Sequence, residues 1–444
     1  MRDILVTVLV FCSLPLILRA PIYGVLMWIW ISVMNPHTQA WGFAQQFPFA
    51  FVIAIATLLS LLLAPGRKTL PMTPITVVLL FFVLWMNLST AQAIFPEAAA
   101  AQWNKVMKIM LMTFIALIVV RTRHDVQRLV WMLVLSLGFY GVKGGLFTLR
   151  GGGVDRVWGP ASTFIGDNNA LALALIISIP LMYYLYQTGG KWSRLAMLAM
   201  MPLSAMSALA SYSRGALLAI AAMAVFAWLR SGHRLLGGLL LAVLAPPALL
   251  FMPERWFDRM DSIGNYAADS SAQGRINAWH MAFNLARDRF MGGGFEISEP
   301  SVFAIYAPDP QAVHAAHSIY FQILGEHGFV GLGLYLLLGV LAWRTASRII
   351  RQARSLPGQE WAGRLAAMIQ ASMMGFAVGG AFLSLAYFDV PYYLLVALVA
   401  TRRLLANDAL STPLDTQQHQ IGRRHMAEET QRRQAAQGGD GQAR

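Results

Sequence analysis

The chain has 444 residues, of which 57% are hydrophobic and only 12% charged, too few charges to cover a soluble surface. Apolar windows of about 20 residues recur along it, the length that a bilayer core of about 30 Å requires, so the composition excludes an ordinary soluble protein and predicts an all-α polytopic membrane protein. Lysine and arginine exceed aspartate and glutamate by 34 − 21 = 13, a surplus that cytoplasmic loops account for, and no basic-aromatic module marks a nucleic-acid surface.

In chain order, Ile4–Leu18 and Ile22–Met34 are each short for a crossing and are separated by Arg19-Ala20-Pro21, so they read as one kinked or re-entrant unit. The unit resembles a signal peptide in having Arg2 before an apolar run, but no small-x-small cleavage site follows, and it is expected to be retained. Cys12, the single cysteine, lies in this apolar run, which leaves no internal disulfide or thiol pair. Further spans are predicted near Pro48–Leu63, Ile75–Phe95, Val106–Val120, Leu129–Leu149, Asn169–Tyr186, Leu195–Ala210, Gly215–Leu229, Leu235–Phe251, Phe329–Trp343, Leu365–Ala386 and Tyr392–Leu405. With the first unit counted once, the chain crosses about twelve times. The regions are then 1–150, an N-terminal transmembrane region; 151–405, a second transmembrane region with a large loop at 251–316; and 406–444, a polar tail expected to be disordered.

Charge decides sidedness. Arg67-Lys68, Arg121/Arg123/Arg128, Lys191/Arg194, Arg230/Arg234 and the run Arg344 to Arg364 fall on alternate loops, which the positive-inside rule assigns to the cytoplasm together with the tail. The opposite loops nevertheless carry Arg150, Arg156, Arg214, Arg255, Arg259, Arg275, Arg287 and Arg289. Arginines on that face need an anion to explain them. Arg214 lies in the turn Ser211-Tyr212-Ser213-Arg214-Gly215 at a span boundary, where snorkelling is the plainer account. Arg275 opens a stretch with Trp279, Ala282, Phe283, Ala286 and Phe290 on one face, the pattern of an interfacial amphipathic helix. His314 and His317 precede the next apolar run, and Tyr320 begins it. Two boundary arginines and a histidine on one face make an anion clamp beside a titratable base: arginine grips phosphate bidentately, and nearby positive charge keeps an imidazole neutral. Lys143, within a predicted span, is either a site residue or a snorkelling one. Asp167-Asn168-Asn169 reads as a helix cap or as a binder of substrate hydroxyls. Gly292-Gly293-Gly294 has neither a preceding strand nor a following Gly-Lys-Ser/Thr, so it is expected to be a flexible turn. The acidic residues of these loops are scattered without metal-ligand spacing.

Ser213-Arg214-Gly215, Arg275 with Trp279, and His317-Ser318 running to Glu326-His327-Gly328 together resemble the O-antigen ligase and polymerase superfamily. Met34-Asn35-Pro36-His37 and the series Gly144-Gly145, Gly159-Pro160, Asp167-Asn168-Asn169 look like the ligase subgroup found beside exosortase systems. The resemblance implies an inverting, metal-independent glycosyltransferase of GT-C-like architecture that uses no cofactor. Its donor would be an undecaprenyl diphosphate-linked glycan, and its acceptor a lipid A-core sugar at the periplasmic face of a Gram-negative inner membrane. On that reading His317 is the general base, Arg214 and Arg275 stabilise the diphosphate, and Arg156, Lys143, Asn168, Asn169, His314, Tyr320 and Trp279 contact substrate. Ser318 departs from the Asn of many relatives. O-antigen polymerases and protein O-oligosaccharyltransferases share the topology, and a lipid-linked glycan transporter would also use arginines. Charge gathered at one face without an internal repeat favours the enzyme.

Overall fold

A computed structural model describes residues 1–66, 68–230, 238, 243, 246, 250–261 and 270–408; most of the predicted span Leu235–Phe251 and the tail at 409–444 lie outside the described residues. Every regular element among them is helical: α1 (Arg2–Arg19), α2 (Pro21–Ile29, continued by a wider turn Trp30–Met34), α3 (Phe49–Leu63), α4 (Pro74–Ala91), α5 (Pro96–Val119), α6 (Arg123–Arg150), α7 (Asn168–Thr188), α8 (Lys191–Leu209) and α9 (Arg214–Arg230). After these come α10 (Glu254–Asp261), α11 (Ser270–Asp288), α12 (Pro300–Tyr306), α13 (Ile319–Ser355), α14 (Glu360–Gly380) and α15 (389–408). Helix starts follow sequence chemistry. Proline occupies the first turn of α2, α4, α5 and α12, where its missing N–H costs nothing, and Thr122 with Asp125 forms a reciprocal capping box on α6.

Among the described residues five helices are long and apolar enough to cross a membrane: α4, α5, α6, α7 and α13. The predicted spans on α8 and α14 also form helices, but Ala, Gly, Ser and the charges Lys191, Arg194, Glu360 and Arg364 dilute their apolar character. Large apolar side chains such as Leu62, Phe81 and Leu84 are exposed on the helix flanks, as lipid-facing residues are, while one buried core runs from Val6 to Leu405.

The first 34 residues take the reversed rather than the kinked of the two expected forms. They are two antiparallel helices, because Ala20 is extended (φ −153°, ψ 123°) and turns the chain back. Arg2 donates to the Gln39 carbonyl at 3.1 Å and the Asp3 carboxylate accepts from Gly42 N and Ala44 N, while Ser60 near the far end of α3 reaches the Leu18 carbonyl. Pro21 starts a helix rather than kinking one. The helices gather their basic residues at one end, where Arg348, Arg351 and Arg402 line one hollow and the Arg123 guanidinium lies 5.1 Å from the Trp361 ring. The described residues 251–261 and 270–318 cover the opposite end, called here the loop end.

Two close approaches position that end. Glycines of α6 meet α8: a Cβ on Gly145 would lie 2.3 Å from the Leu203 carbonyl oxygen, and one on Gly141 2.0 Å from Ser204 Oγ. Lys143 consequently points away from α8 and is exposed. In α13 the helix breaks at Gly328 (φ 67°), and Gly292-Gly293-Gly294 docks there through its backbone: Gly293 N donates to Gly325 O and Gly294 N to Glu326 O, both at 2.9 Å. The expected flexible turn is therefore a packed one, and Glu326-His327-Gly328 is buried inside the bundle rather than closing a boundary segment. The buried face of α11 also differs from expectation. It is Ala278, Met281, Ala282, Leu285 and Ala286, whereas Phe283 and Phe290 lie exposed, each edge-on to an aromatic ring of α13 or α4.

Candidate active site

Arg214 is the first residue of α9, and its turn is built by side-chain capping. Tyr212 adopts a left-handed φ of 59°, the Ser213 hydroxyl accepts from Ala216 N at 3.1 Å, and the Ser211 hydroxyl accepts from Ser213 N at 3.2 Å. Asn168, buried at the start of α7, donates to the Ser211 carbonyl at 2.6 Å. Asp167 caps α7 by accepting from Asn169 N and Ala170 N, and the Asn169 amide bonds the same carboxylate. The partial positive charge of the α9 N-terminus adds to the Arg214 guanidinium.

The second half of the site is where α11 meets the irregular segment leading into α13. Gly274 has no side chain to hold the two apart: a Cβ there would lie 2.4 Å from His314 Cδ2, so the His314 ring rests on the α11 backbone beside Arg275. Asn277 fastens the approach to this segment, donating to the Asp309 and Ala312 carbonyls and accepting from Asp309 N. Trp279 donates its indole N–H to the Ala316 carbonyl at 2.7 Å and stacks on Phe321 with ring centroids 4.9 Å apart at 6°. The peptide entering His317 is thus pinned, and His317 itself takes φ 42°, an uncommon conformation for a residue with a side chain. Its half-buried imidazole lies in the fields of Arg275, Asp167 and His314. Burial first, then the Arg275 and His314 charges, hold the His317 imidazole below the ordinary histidine value, with Asp167 opposing them. A neutral ring nitrogen at pH 7 is able to accept a proton.

The end of α14 links the two halves. A Cβ on Gly380 would press on Ile319, two residues after His317, and one on Gly215, beside Arg214, would meet Phe382 at 3.1 Å; Gly379 packs on Leu173 of α7 and Ala219 of α9. The starts of α7, α9 and α13 therefore gather around residues 379–382. Beneath His317 an apolar cavity of about 260 Å³ runs between α13, α14 and α15, lined by Ile319, Tyr320, Tyr335, Met373, Phe376 and Leu395. Tyr320 stands in its wall with its hydroxyl bonded to the Ala377 carbonyl at 2.8 Å. Of the residues singled out from sequence, Arg275, His314, His317 and Trp279 come together, with Asn168 fixing the neighbouring Arg214 turn and Asn169 bonded to Asp167 and Asn168 beside it. Arg156 and Lys143 lie in an adjoining hollow. Arg156 borders the turn from that side, its guanidinium 5.5 Å from the Tyr212 ring centroid. Among the described residues no group of three or more His, Cys, Asp or Glu side chains is placed to hold a metal ion.

Sequence reasoning did not anticipate the network just below. Tyr387 donates its hydroxyl to the Glu326 carboxyl and meets His327 Nε2 at 2.8 Å; His327 Nδ1 meets the Ser89 hydroxyl at 2.6 Å, and Trp85 donates to the His327 carbonyl at 2.7 Å. All but Trp85 are buried, so the network ties α4, α13 and the segment before α15 together under the site. Asp167 was legible as a helix cap or as part of a binder of substrate hydroxyls. No sequence signal shows its charge facing His317.

The fold and the site define a membrane-spanning helical protein that presents cationic helix starts and a neutral imidazole at one end of its bundle, above an apolar cavity. Residues 199–336 match the O-antigen ligase family, a match that supports glycan transfer of the ligase and polymerase type in general. Residues 1–190 match a family of unknown function (DUF5935). No curated protein matches the chain.

Proposed function

We propose that the chain is an O-antigen ligase of GT-C-like architecture: it moves a glycan from undecaprenyl diphosphate to a hydroxyl of a lipid A-core sugar, with inversion and without a metal, at the periplasmic face of a Gram-negative inner membrane. The observation that carries this reading is the meeting of His317 with Arg275, beside the Arg214 turn and directly above an apolar cavity. Polyprenyl chain is the occupant such a cavity suits, and guanidinium forks suit a diphosphate.

His317 takes the proton of the acceptor hydroxyl while its oxygen attacks the anomeric carbon. The bond from that carbon to the diphosphate oxygen breaks, and the lipid diphosphate leaves with the electron pair. Attack from the face opposite the leaving group inverts the centre. Arg214 and Arg275 take up the charge that grows on the departing diphosphate, a stabilisation strongest where water is excluded. His314, resting against Gly274, and Trp279, bonded to Ala316, keep the base in place.

Purified protein reconstituted with undecaprenyl diphosphate-linked glycan and lipid A-core in the presence of a chelator tests this. The expected product is capped lipid A-core with release of undecaprenyl diphosphate. Elongation of the donor glycan on its own carrier would identify a polymerase instead, and label on added protein would identify an oligosaccharyltransferase.

A further inference from the structure

The hollow beside the site is strongly one-signed. It has a volume of about 680 Å³ and is lined by Lys143, Arg150 and Arg156 together with Tyr140, Trp158 and Gln39, with no carboxylate in its wall. It shares Gln39 and Lys143 with a second hollow of about 390 Å³ that reaches Arg2 and Trp41. The two form one groove carrying four cations. Lys143, Arg150 and Arg156 are exposed and form no ion pair among the described residues.

The groove is built rather than incidental. Val157 is buried and its N–H donates to the Ala210 carbonyl at 3.2 Å, which fixes this loop, and its neighbours Arg156 and Trp158 are both exposed. Tyr140 accepts from the Gln39 amide at 2.7 Å and donates to the Met34 carbonyl, which fixes the floor. Trp41 and Trp158 are 87% and 59% exposed, flat apolar surfaces of the kind on which sugar rings stack, at the two ends of the cationic row. Leu171 in the first turn of α7 lines this groove and Arg156 faces Tyr212 of the Arg214 turn, while Asp167, which caps the same helix, acts on His317.

Arginines that form no ion pair among the described residues, beside exposed tryptophans, match a phosphorylated oligosaccharide. We infer that this groove, which belongs to the segment 1–190, is the acceptor subsite and binds a glycolipid through phosphate groups on its sugars, presenting a hydroxyl toward His317. The inference rests on the glycan-transfer reading and adds the chemistry that selects the acceptor.

Binding without donor tests it, using the full chain in phosphatidylcholine nanodiscs and a phosphorylated lipid A-core glycolipid, intact or phosphatase-treated. The double variant Lys143→Gln/Arg150→Gln should bind the intact glycolipid about tenfold more weakly, and the wild type and the variant should bind the treated glycolipid equally. The charge-keeping pair Lys143→Arg/Arg150→Lys should restore binding, which separates lost charge from lost folding. Equal affinity of wild type and double variant for the intact glycolipid would overturn the assignment. So would an equal loss toward the treated one, or displacement of the glycolipid by phosphatidylglycerol, which would make the groove a general headgroup site. A protein that binds the charged glycolipid selectively but transfers nothing contradicts the ligase reading alone. One that transfers while binding charged and neutral glycolipids alike contradicts the subsite alone.

Discussion

Trp279 makes a quantitative test of how the base is held. Trp279→Phe deletes the indole N–H that bonds the Ala316 carbonyl at 2.7 Å but keeps an aromatic ring over Phe321. The net stability cost is that of one hydrogen bond, about 1 kcal/mol, which leaves almost all molecules of a protein stable by 5 kcal/mol or more folded. The catalytic cost is larger, because the lost bond fixes the peptide entering His317, whose φ of 42° has no intrinsic preference to stay there. A misplacement of about 1 Å at a reacting group lowers turnover on the order of 10²-fold. Turnover of the reconstituted protein should therefore fall 10- to 100-fold, as an order-of-magnitude expectation, with a small change in thermal midpoint. Trp279→Ala also loses the stack, about 0.5–1.5 kcal/mol more, and should reduce stability further without a matching further loss of rate. If Trp279→Phe turns over at the wild-type rate, the indole does not position the base and the reasoning fails.

The pH profile is a second test. Burial, Arg275 and His314 hold His317 below the ordinary histidine value, so kcat/KM should persist as pH falls through that value and drop only below it. Asp167 favours the charged ring, so Asp167→Asn, which keeps a competent helix cap, should move the acid limb to lower pH; a limb that stays fixed would separate Asp167 from the base. Gly328→Ala should abolish folded yield, because φ is 67° and the new Cβ would lie 2.3 Å from the Phe290 carbonyl oxygen, whereas Gly333→Ala meets nothing within 4 Å and should be tolerated, as size-exclusion profiles can show. Tyr387→Phe removes the hydroxyl shared by Glu326 and His327 and should cost about 1–3 kcal/mol of stability in denaturation, with donor KM unchanged.

The helices were legible where chemistry is local. Thr122 with Asp125, Pro74, Pro96 and Asp167 mark starts that any reading of caps finds, and α5 begins ten residues before the predicted Val106 because a helix does not stop where its polar turn leaves the bilayer. The form of the N-terminal unit stayed open because Arg19-Ala20-Pro21 is compatible with a kink or a reversal, and the bonds of Arg2 and Asp3 to residues 39–44 decide for the reversal. The site residues were legible as types and order, through charge on the less basic face and the family resemblance. Their meeting was not, since it depends on a missing Cβ at Gly274 and on the Trp279 bond to a carbonyl 37 residues away. Glu326 and His327 escaped because sequence reading assigns charged residues to surfaces, while three long-range hydrogen bonds, from Ser89 and Tyr387, accompany their burial here.

Single-turnover transfer by His317→Gln protein preloaded with undecaprenyl diphosphate-linked glycan tests the central claim most directly. The account predicts that the variant inserts and retains donor like the wild type but forms capped lipid A-core at least about 10²-fold more slowly. Transfer at the wild-type rate would contradict it.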